Sequence, residues 1–212
     1  MMEARGLHAG MSVTALFWDV GGVLLTNGWD TASRQAATTR FGLDWKEFED
    51  RHQLVVTPFE TGRLDLKEYL QRTVFYRPRG FGVEDFRAFM FAQSQPYPDA
   101  LAIVEGLART GRYFLATLNN ESLDLNLHRI RQFGLRNYFA AFFSSCFLGV
   151  KKPEEAIFRL ALQVTQRAPD ECIFIDDRPV NLECATGCGM IVMQYQNPAQ
   201  LRDDLKRAGV EA

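Results

Sequence analysis

No apolar run in this 212-residue chain approaches the roughly 18 residues needed to span a bilayer, so no transmembrane helix is expected. An excess of one charge is also lacking. Lys and Arg number 24 against 26 Asp and Glu, and the net charge of −2 gives no electrostatic case for nucleic acid or an anionic membrane. The opening MMEARGLHAGMS has one Arg, two Gly and no apolar h-region, which excludes a secretory signal and reads as a loose leader. Cysteine is scarce, and Cys146, Cys172, Cys184 and Cys188 include no CxxC pair. Cys184 and Cys188 are spaced for one helix face, but His128 is the only nearby His. Buried free thiols in a reducing cytoplasm are therefore expected, not a zinc site. Repeats and low-complexity stretches are absent.

What is present is an ordinary globular balance, 47% hydrophobic and 24% charged, with 17 Phe as core material. The length suits one sizeable domain, or a core domain carrying a smaller insertion.

Short apolar runs punctuate the chain, and four lead into polar clusters. Val13–Trp18 ends at Asp19, and Tyr113–Leu118 ends at Asn119-Asn120. Ala140–Ser144 leads into Gly149-Val150-Lys151-Lys152-Pro153, and Cys172–Ile175 ends at Asp176-Asp177. A weaker run, Met190–Met193, follows. Continuous runs of this length suit strands buried on both faces of a parallel sheet. Helical patterns over Ala100–Arg109, Glu154–Thr165 and Asn181–Cys188 alternate with them, which predicts a doubly wound α/β fold with its crevice at the carboxyl ends of the strands. All four clusters fall at those ends. Residues 28–95 break the alternation with helical patterns over Thr31–Phe41, Trp45–Leu54, Leu66–Val74 and Val83–Phe91. They are expected to form a helical insert after the first strand, with Gln95-Pro96-Tyr97-Pro98 as the return linker to a core of 13–27 and 96–212.

Asp19 alone reads equally as a turn or N-cap residue, and Lys-Lys-Pro or Asn-Asn as solvated turns. The adjacent carboxylates Asp176 and Asp177 repel unless a cation neutralises them. Three carboxylates at neighbouring strand ends form a hard oxygen site suited to Mg²⁺. Lys152 adds a point positive charge, with Pro153 expected in the first turn of the next helix. Asn119 and Asn120 add amide donors for an anion. These are the parts that phosphoryl transfer through an aspartyl-phosphate requires.

The ordered pattern resembles the four motifs of the haloacid dehalogenase superfamily. Phe17-Trp18-Asp19-Val20-Gly21-Gly22 is similar to the first, and Leu118-Asn119-Asn120-Glu121 to the second. Gly149-Val150-Lys151-Lys152-Pro153 is similar to the third, and Phe174-Ile175-Asp176-Asp177 with Asn181 to the fourth. The helical insert is similar to a C1-type cap. The resemblance implies a phosphatase-like hydrolase with Asp19 as nucleophile and metal ligand. Asp177 would be the second carboxylate ligand, with Asp176 nearby and the Gly21 carbonyl completing the set. Lys152 would stabilise the phosphoryl oxygens, and Asn119 would bind the phosphate.

Two departures stand out. The usual phosphatase motif has an acid–base Asp two residues after the nucleophile, where this chain has Gly21. Asn119 stands where Ser or Thr is usual, with Thr117 the alternative if the register slips. Glu121, Glu60 and Asp30 are candidates to replace the acid.

The expected substrate is a small phosphorylated metabolite, a sugar phosphate or nucleotide, hydrolysed by a monomer or homodimer. Trp29, Phe59, Arg63, Phe75, Tyr76, Arg77 and Arg79 are candidates to line its pocket. The alternatives are a metal-independent 2-haloacid dehalogenase and a weakly catalytic binding or regulatory protein. A bacterial receiver domain is shorter, puts its acidic pair first and lacks a helical insert.

Overall fold

The computed structural model describes residues 12–211, so the expected leader lies almost wholly outside it. Five strands form one fully parallel sheet: β1 (Ala15–Trp18), β2 (Phe114–Asn119), β3 (Ala141–Ser144), β4 (Cys172–Asp176) and β5 (Ile191–Gln194). Their order is β3-β2-β1-β4-β5. β1 therefore lies between β2 and β4, and the chain winds outward from it both ways. That is the topological switch point of a doubly wound α/β sheet, where ligands bind at the strand carboxyl ends.

Both faces of the sheet are covered, which is why the strands read as unbroken apolar runs. Alternation sends Ala15 and Phe17 to one face, with Ala116, Leu118 and Phe174, and Leu16 and Trp18 to the other, with Leu115, Ile173 and Ile175. Helices α8 (Glu155–Thr165) and α9 (Pro179–Gly187) pack on the first face through Ile157, Phe158, Ala161, Leu182 and Ala185. The second face is covered by α5 (Pro98–Thr110), α6 (Leu123–Gln132) and α10 (Pro198–Arg207) through residues such as Ile103, Val104, Ile130 and Leu201. A short α7 (Ser145–Leu148) follows β3. No helix among the described residues is long and apolar enough to cross a membrane.

Between β1 and α5 stand four helices: α1 (Thr31–Phe41), α2 (Trp45–Glu60), α3 (Leu66–Thr73) and α4 (Val83–Ala92). Asp30, Asp44 and Asp65 start the first three by accepting the backbone N–H three residues on, satisfying a donor the helix leaves open. Their apolar faces converge on a cluster of their own that includes Trp29, Phe48, Phe59, Tyr69, Phe86 and Met90, joined by Leu125 from α6.

Several local expectations are corrected. Helix α2 runs past Leu54 and through Pro58 to Glu60, because Val55 and Phe59 are buried in that cluster and tertiary packing outweighs the lost backbone donor. Helix α10 carries a legible signature, with Asn197 as N-cap, Pro198 at the first position and Leu201 and Leu205 one turn apart. Pro153 is not in a helix; it follows a cis peptide bond from Lys152 and precedes the start of α8. The four thiols are free, but only Cys172 is buried, the others being half-buried.

Candidate active site

The carboxyl end of β1 delivers Asp19 into the crevice, and the Asp19 N–H continues the ladder to Ile175 O at 2.8 Å. The Val20 N–H donates to Asp19 Oδ1 at 2.8 Å. Lys152 Nζ lies 2.9 Å from Asp19 Oδ1 and 2.6 Å from Asp176 Oδ2, so one buried ammonium bridges two strand ends. Its position over the Phe174 ring, 5.3 Å from the centroid, adds a cation–π contact.

Asp176 is wholly buried and its oxygens are well occupied. Arg178 N donates to Oδ1 at 2.8 Å, and Asn181 Nδ2 lies 3.0 Å from each oxygen. Asp177 differs, because its Oδ1 is buried without a hydrogen-bond partner. The turn after β1 makes room for it. A Cβ on Gly22, whose φ is +79°, would sit 2.6 Å from Asp177 Oδ2, so only glycine lets the turn pass this close.

Asp19, Asp176 and Asp177 each offer an oxygen within 4.8 Å of the others. Asp19 and Asp176 share the one buried ammonium of Lys152, while Asp177, half-buried, has Arg178 as its strongest cationic influence. Burial pushes the Asp19 carboxyl up to about 7, against the pull of Lys152 and with the added repulsion of Asp176. Burial likewise raises Asp177, with Asp176 the second cause. An unpartnered carboxylate oxygen and two raised acids fit a hard divalent cation, which takes oxygen ligands and would add positive charge there.

A cavity of about 440 Å³ opens in front of Asp19, lined near it by Gly21, Asn27, Asn120, Arg129 and Lys152. Trp29, Arg34, His52 and Phe59 from the helical block form its far wall. The Trp29 Nε1–H donates to Tyr69 Oη at 2.8 Å, and Tyr69 Oη lies 2.8 Å from His52 Nδ1. The tyrosine oxygen accepts from Trp29 and shares one hydrogen bond with His52 Nδ1. Burial and the Arg34 charge hold His52 at about 4, so it is neutral.

Asn120 lines the cavity as expected, but its amide is already engaged by the Lys152 backbone. Asn119 does not line it. Counting along β2, Asn119 has the parity of Leu115, which faces away from Asp19. Its amide donates to Asn126 Oδ1 at 3.2 Å and accepts from Ser144 Oγ, its cross-strand partner, at 2.9 Å. Thr117, the alternative, is fully buried lower in β2. Of the seven aromatic and basic candidates, only Trp29 and Phe59 line the cavity. Phe75 packs against the helical cluster, and Tyr76 lies beneath Arg51, Arg77 and Arg79.

The candidate acids are all present and all engaged. Asp30 caps α1, Glu60 pairs with Lys151 at 2.6 Å, and Glu121 pairs with Arg129 at 3.2 Å. Arg129 carried no signal in the sequence. It is one of two Arg on α6, and only the fold buries it beside Gly21.

A model of the haloacid dehalogenase-like hydrolase family matches residues 13–189. The chain is 28% identical over 193 residues to flavin mononucleotide hydrolase 1, a chloroplast protein of Arabidopsis thaliana, covering 89% of this chain and 78% of that protein. A shorter match, 34% over 83 residues, is to phosphoserine phosphatase of Thermus thermophilus, covering 39% of this chain and 33% of that protein. Among solved structures, a family enzyme from Bacteroides thetaiotaomicron in complex with magnesium and inorganic phosphate superposes with a TM-score of 0.73. The two are 20% identical, over 87% of this chain and 95% of that one.

Proposed function

The chain belongs to the haloacid dehalogenase-like hydrolases, and from that premise we propose that it is a Mg²⁺-dependent phosphomonoester hydrolase acting through an aspartyl-phosphate on Asp19. The observation that carries this reading is the Lys152 ammonium shared by Asp19 and Asp176, beside the unpartnered buried oxygen of Asp177. That oxygen supports a cation-dependent reaction over a metal-independent dehalogenase. The magnesium and phosphate bound by the Bacteroides enzyme, and the relatives named flavin mononucleotide hydrolase and phosphoserine phosphatase, support it further.

Asp19, Asp177 and the Gly21 carbonyl would hold the ion, with Asp176 beside them, and it would supply charge neutralisation and orientation of phosphoryl oxygens. Val20 N–H and Lys152 fix Asp19 Oδ1, and Oδ2 accepts no hydrogen bond among the described residues, which leaves it free to attack. Lys152 offsets the repulsion between carboxylate and phosphate. Asp176 and Asn181 hold Lys152 in place, and Asn120 holds its backbone. Asn119 acts through Ser144 and Asn126 and is a positioning residue in this scheme.

Residues 28–95 act as a cap that closes the far wall and excludes water from the reacting atoms. The substrate is a small phosphorylated metabolite. Four free thiols fit a reducing compartment, the expected cytoplasm.

The test is phosphate release from p-nitrophenyl phosphate and a panel of phosphometabolites, with and without Mg²⁺, using Asp19→Asn as control. Magnesium-dependent turnover lost in the variant is expected. Turnover that survives either EDTA or Asp19→Asn overturns the proposal.

A further inference from the structure

The wall beside the nucleophile carries hydrogen-bond donors but no group ready to give up a proton. A Cβ on Gly21 would lie 3.0 Å from Asn27 Oδ1 and 3.6 Å from Arg129 Nη1, so these two side chains occupy the wall two residues past Asp19. Both line the cavity. The Asn27 amide makes no hydrogen bond to another described residue. Arg129 donates two of its five N–H groups, to Ser94 Oγ and Thr26 O, and its Nη1 pairs with Glu121, which leaves N–H donors for the cavity. A guanidinium in a protein keeps its protons.

The carboxylates and lysines of the cavity are engaged, and His52, held at about 4 by burial, is neutral and has no imidazolium proton to give at neutral pH. Asp30 accepts the Ser33 N–H at 2.8 Å, and Glu60 takes the Lys151 ammonium. Glu121 accepts Ser122 N at 2.9 Å and Ser122 Oγ at 3.3 Å in addition to Arg129, all contacts that favour its charged form. Burial works against that charge and raises the carboxyl, but the atoms nearest a Cβ on Gly21 belong to Asn27 and Arg129, not to Glu121, which pairs with Arg129 Nη1. Lys151 and Lys152 are each held by carboxylates.

We propose that Asn27 and Arg129 form a leaving-group site that stabilises a departing oxyanion without protonating it. The substrates are then phosphoryl compounds whose leaving group is stable as an anion, namely acyl, aryl or enol phosphates. The inference rests on the phosphatase reading and narrows its substrate class. The Asp19 carboxylate oxygen forms a bond to phosphorus as the ester or anhydride P–O bond breaks, and the electron pair leaves on that oxygen with no proton transferred. Water then attacks the phosphorus of the aspartyl-phosphate, the Asp19–phosphorus bond breaks, and the water's proton passes to solvent as phosphate leaves.

The test is kcat/KM in Mg²⁺ for substituted phenyl phosphates spanning leaving-group pKa from about 5 to about 10, with acetyl phosphate, and with glycerol 3-phosphate and FMN as alkyl esters. The rate should fall steeply as leaving-group pKa rises, with alkyl esters slower than the best aryl esters by ~10²-fold or more, the least that a positioned acid contributes. Asn27→Ala removes no internal hydrogen bond, so the fold should persist. It should slow esters of poor leaving groups more than those of good ones. A flat dependence, or alkyl esters as fast as aryl, overturns the inference while the phosphatase reading stands. A flat profile that steepens in Glu121→Gln would reassign the proton donor to Glu121. Absence of turnover on every compound overturns the phosphatase reading and this inference with it.

Discussion

Asn120 and Lys152 hold each other by a reciprocal pair of hydrogen bonds: the Lys152 N–H donates to Asn120 Oδ1 at 2.8 Å, and Asn120 Nδ2 donates to the Lys152 carbonyl at 2.8 Å. A side chain at the end of β2 thus grips the backbone that carries the bridging ammonium. The ammonium reaches both Asp19 and Asp176 because its own main chain is pinned from the neighbouring strand.

Asn120→Ala should therefore cost ~1–3 kcal/mol of stability, since two buried backbone groups lose their partners. Turnover should fall by ~10-fold or more as Lys152 loses its register. Denaturant unfolding and steady-state kinetics measure the two effects. Lys152→Ala should cripple activity more severely, and a near-normal rate in that variant would remove the role given to its ammonium.

Asp19 links activity to pH and metal. Its folded-state pKa of about 7 lies above the unfolded 3.8, so the folded form holds the extra proton between those values. Stability therefore declines as pH rises across that window, by ~4 kcal/mol at most, and stays low above pH 7. In thermal melts at pH 8 without metal, Asp19→Asn should melt higher than the natural protein. Added Mg²⁺ should raise the natural protein's melting temperature, by the equivalent of ~2.7 kcal/mol at a hundredfold excess over Kd, and the variant's much less. Equal shifts for both proteins would remove Asp19 as a metal ligand.

His52 titrates in the opposite sense. Burial lowers it from 6.5 to about 4, so the unfolded chain takes up a proton that the folded chain refuses. Stability should fall as pH drops from about 6.5 to about 4, by ~3 kcal/mol from this residue. His52→Gln has no such proton to take up, and its melting curve should flatten over the same range. Parallel curves for the two proteins would contradict a neutral His52 bonded to Tyr69.

The Arg129–Glu121 pair should show strong coupling. Arg129→Ala leaves a buried carboxylate without its cation and should destabilise the protein by ~3–5 kcal/mol. The double variant Arg129→Ala/Glu121→Ala should recover part of that loss, because no charge is left unpaired. Additive losses in denaturant unfolding would show that the pair does not act as a unit.

Much of the fold was legible before any coordinates. The runs ending at Asp19, Asn119, Ser144 and Asp176 are strands of a parallel sheet, because burial on both faces removes polar residues from their interiors. The apolar spacing of the four inserted helices was legible too, while the end of α2 depended on what Phe59 packs against.

At the site, sequence alone determined which chemistry is present: a strand-tip aspartate, an aspartate pair, a lysine and the absence of an acid at Gly21. These are local facts, carried by residue type at the end of an apolar run. Tertiary structure decided how the parts are shared. Strand parity turns Asn119 away from the cavity and Asp19 toward it. Packing leaves Asp177 with the open oxygen while Asp176 is spent on Lys152 and Asn181. Helix α6 carries Arg129 to the place beside Gly21, and α2 carries His52 to the far wall. Such contacts join residues tens of positions apart, and only the folded chain brings them within hydrogen-bonding distance.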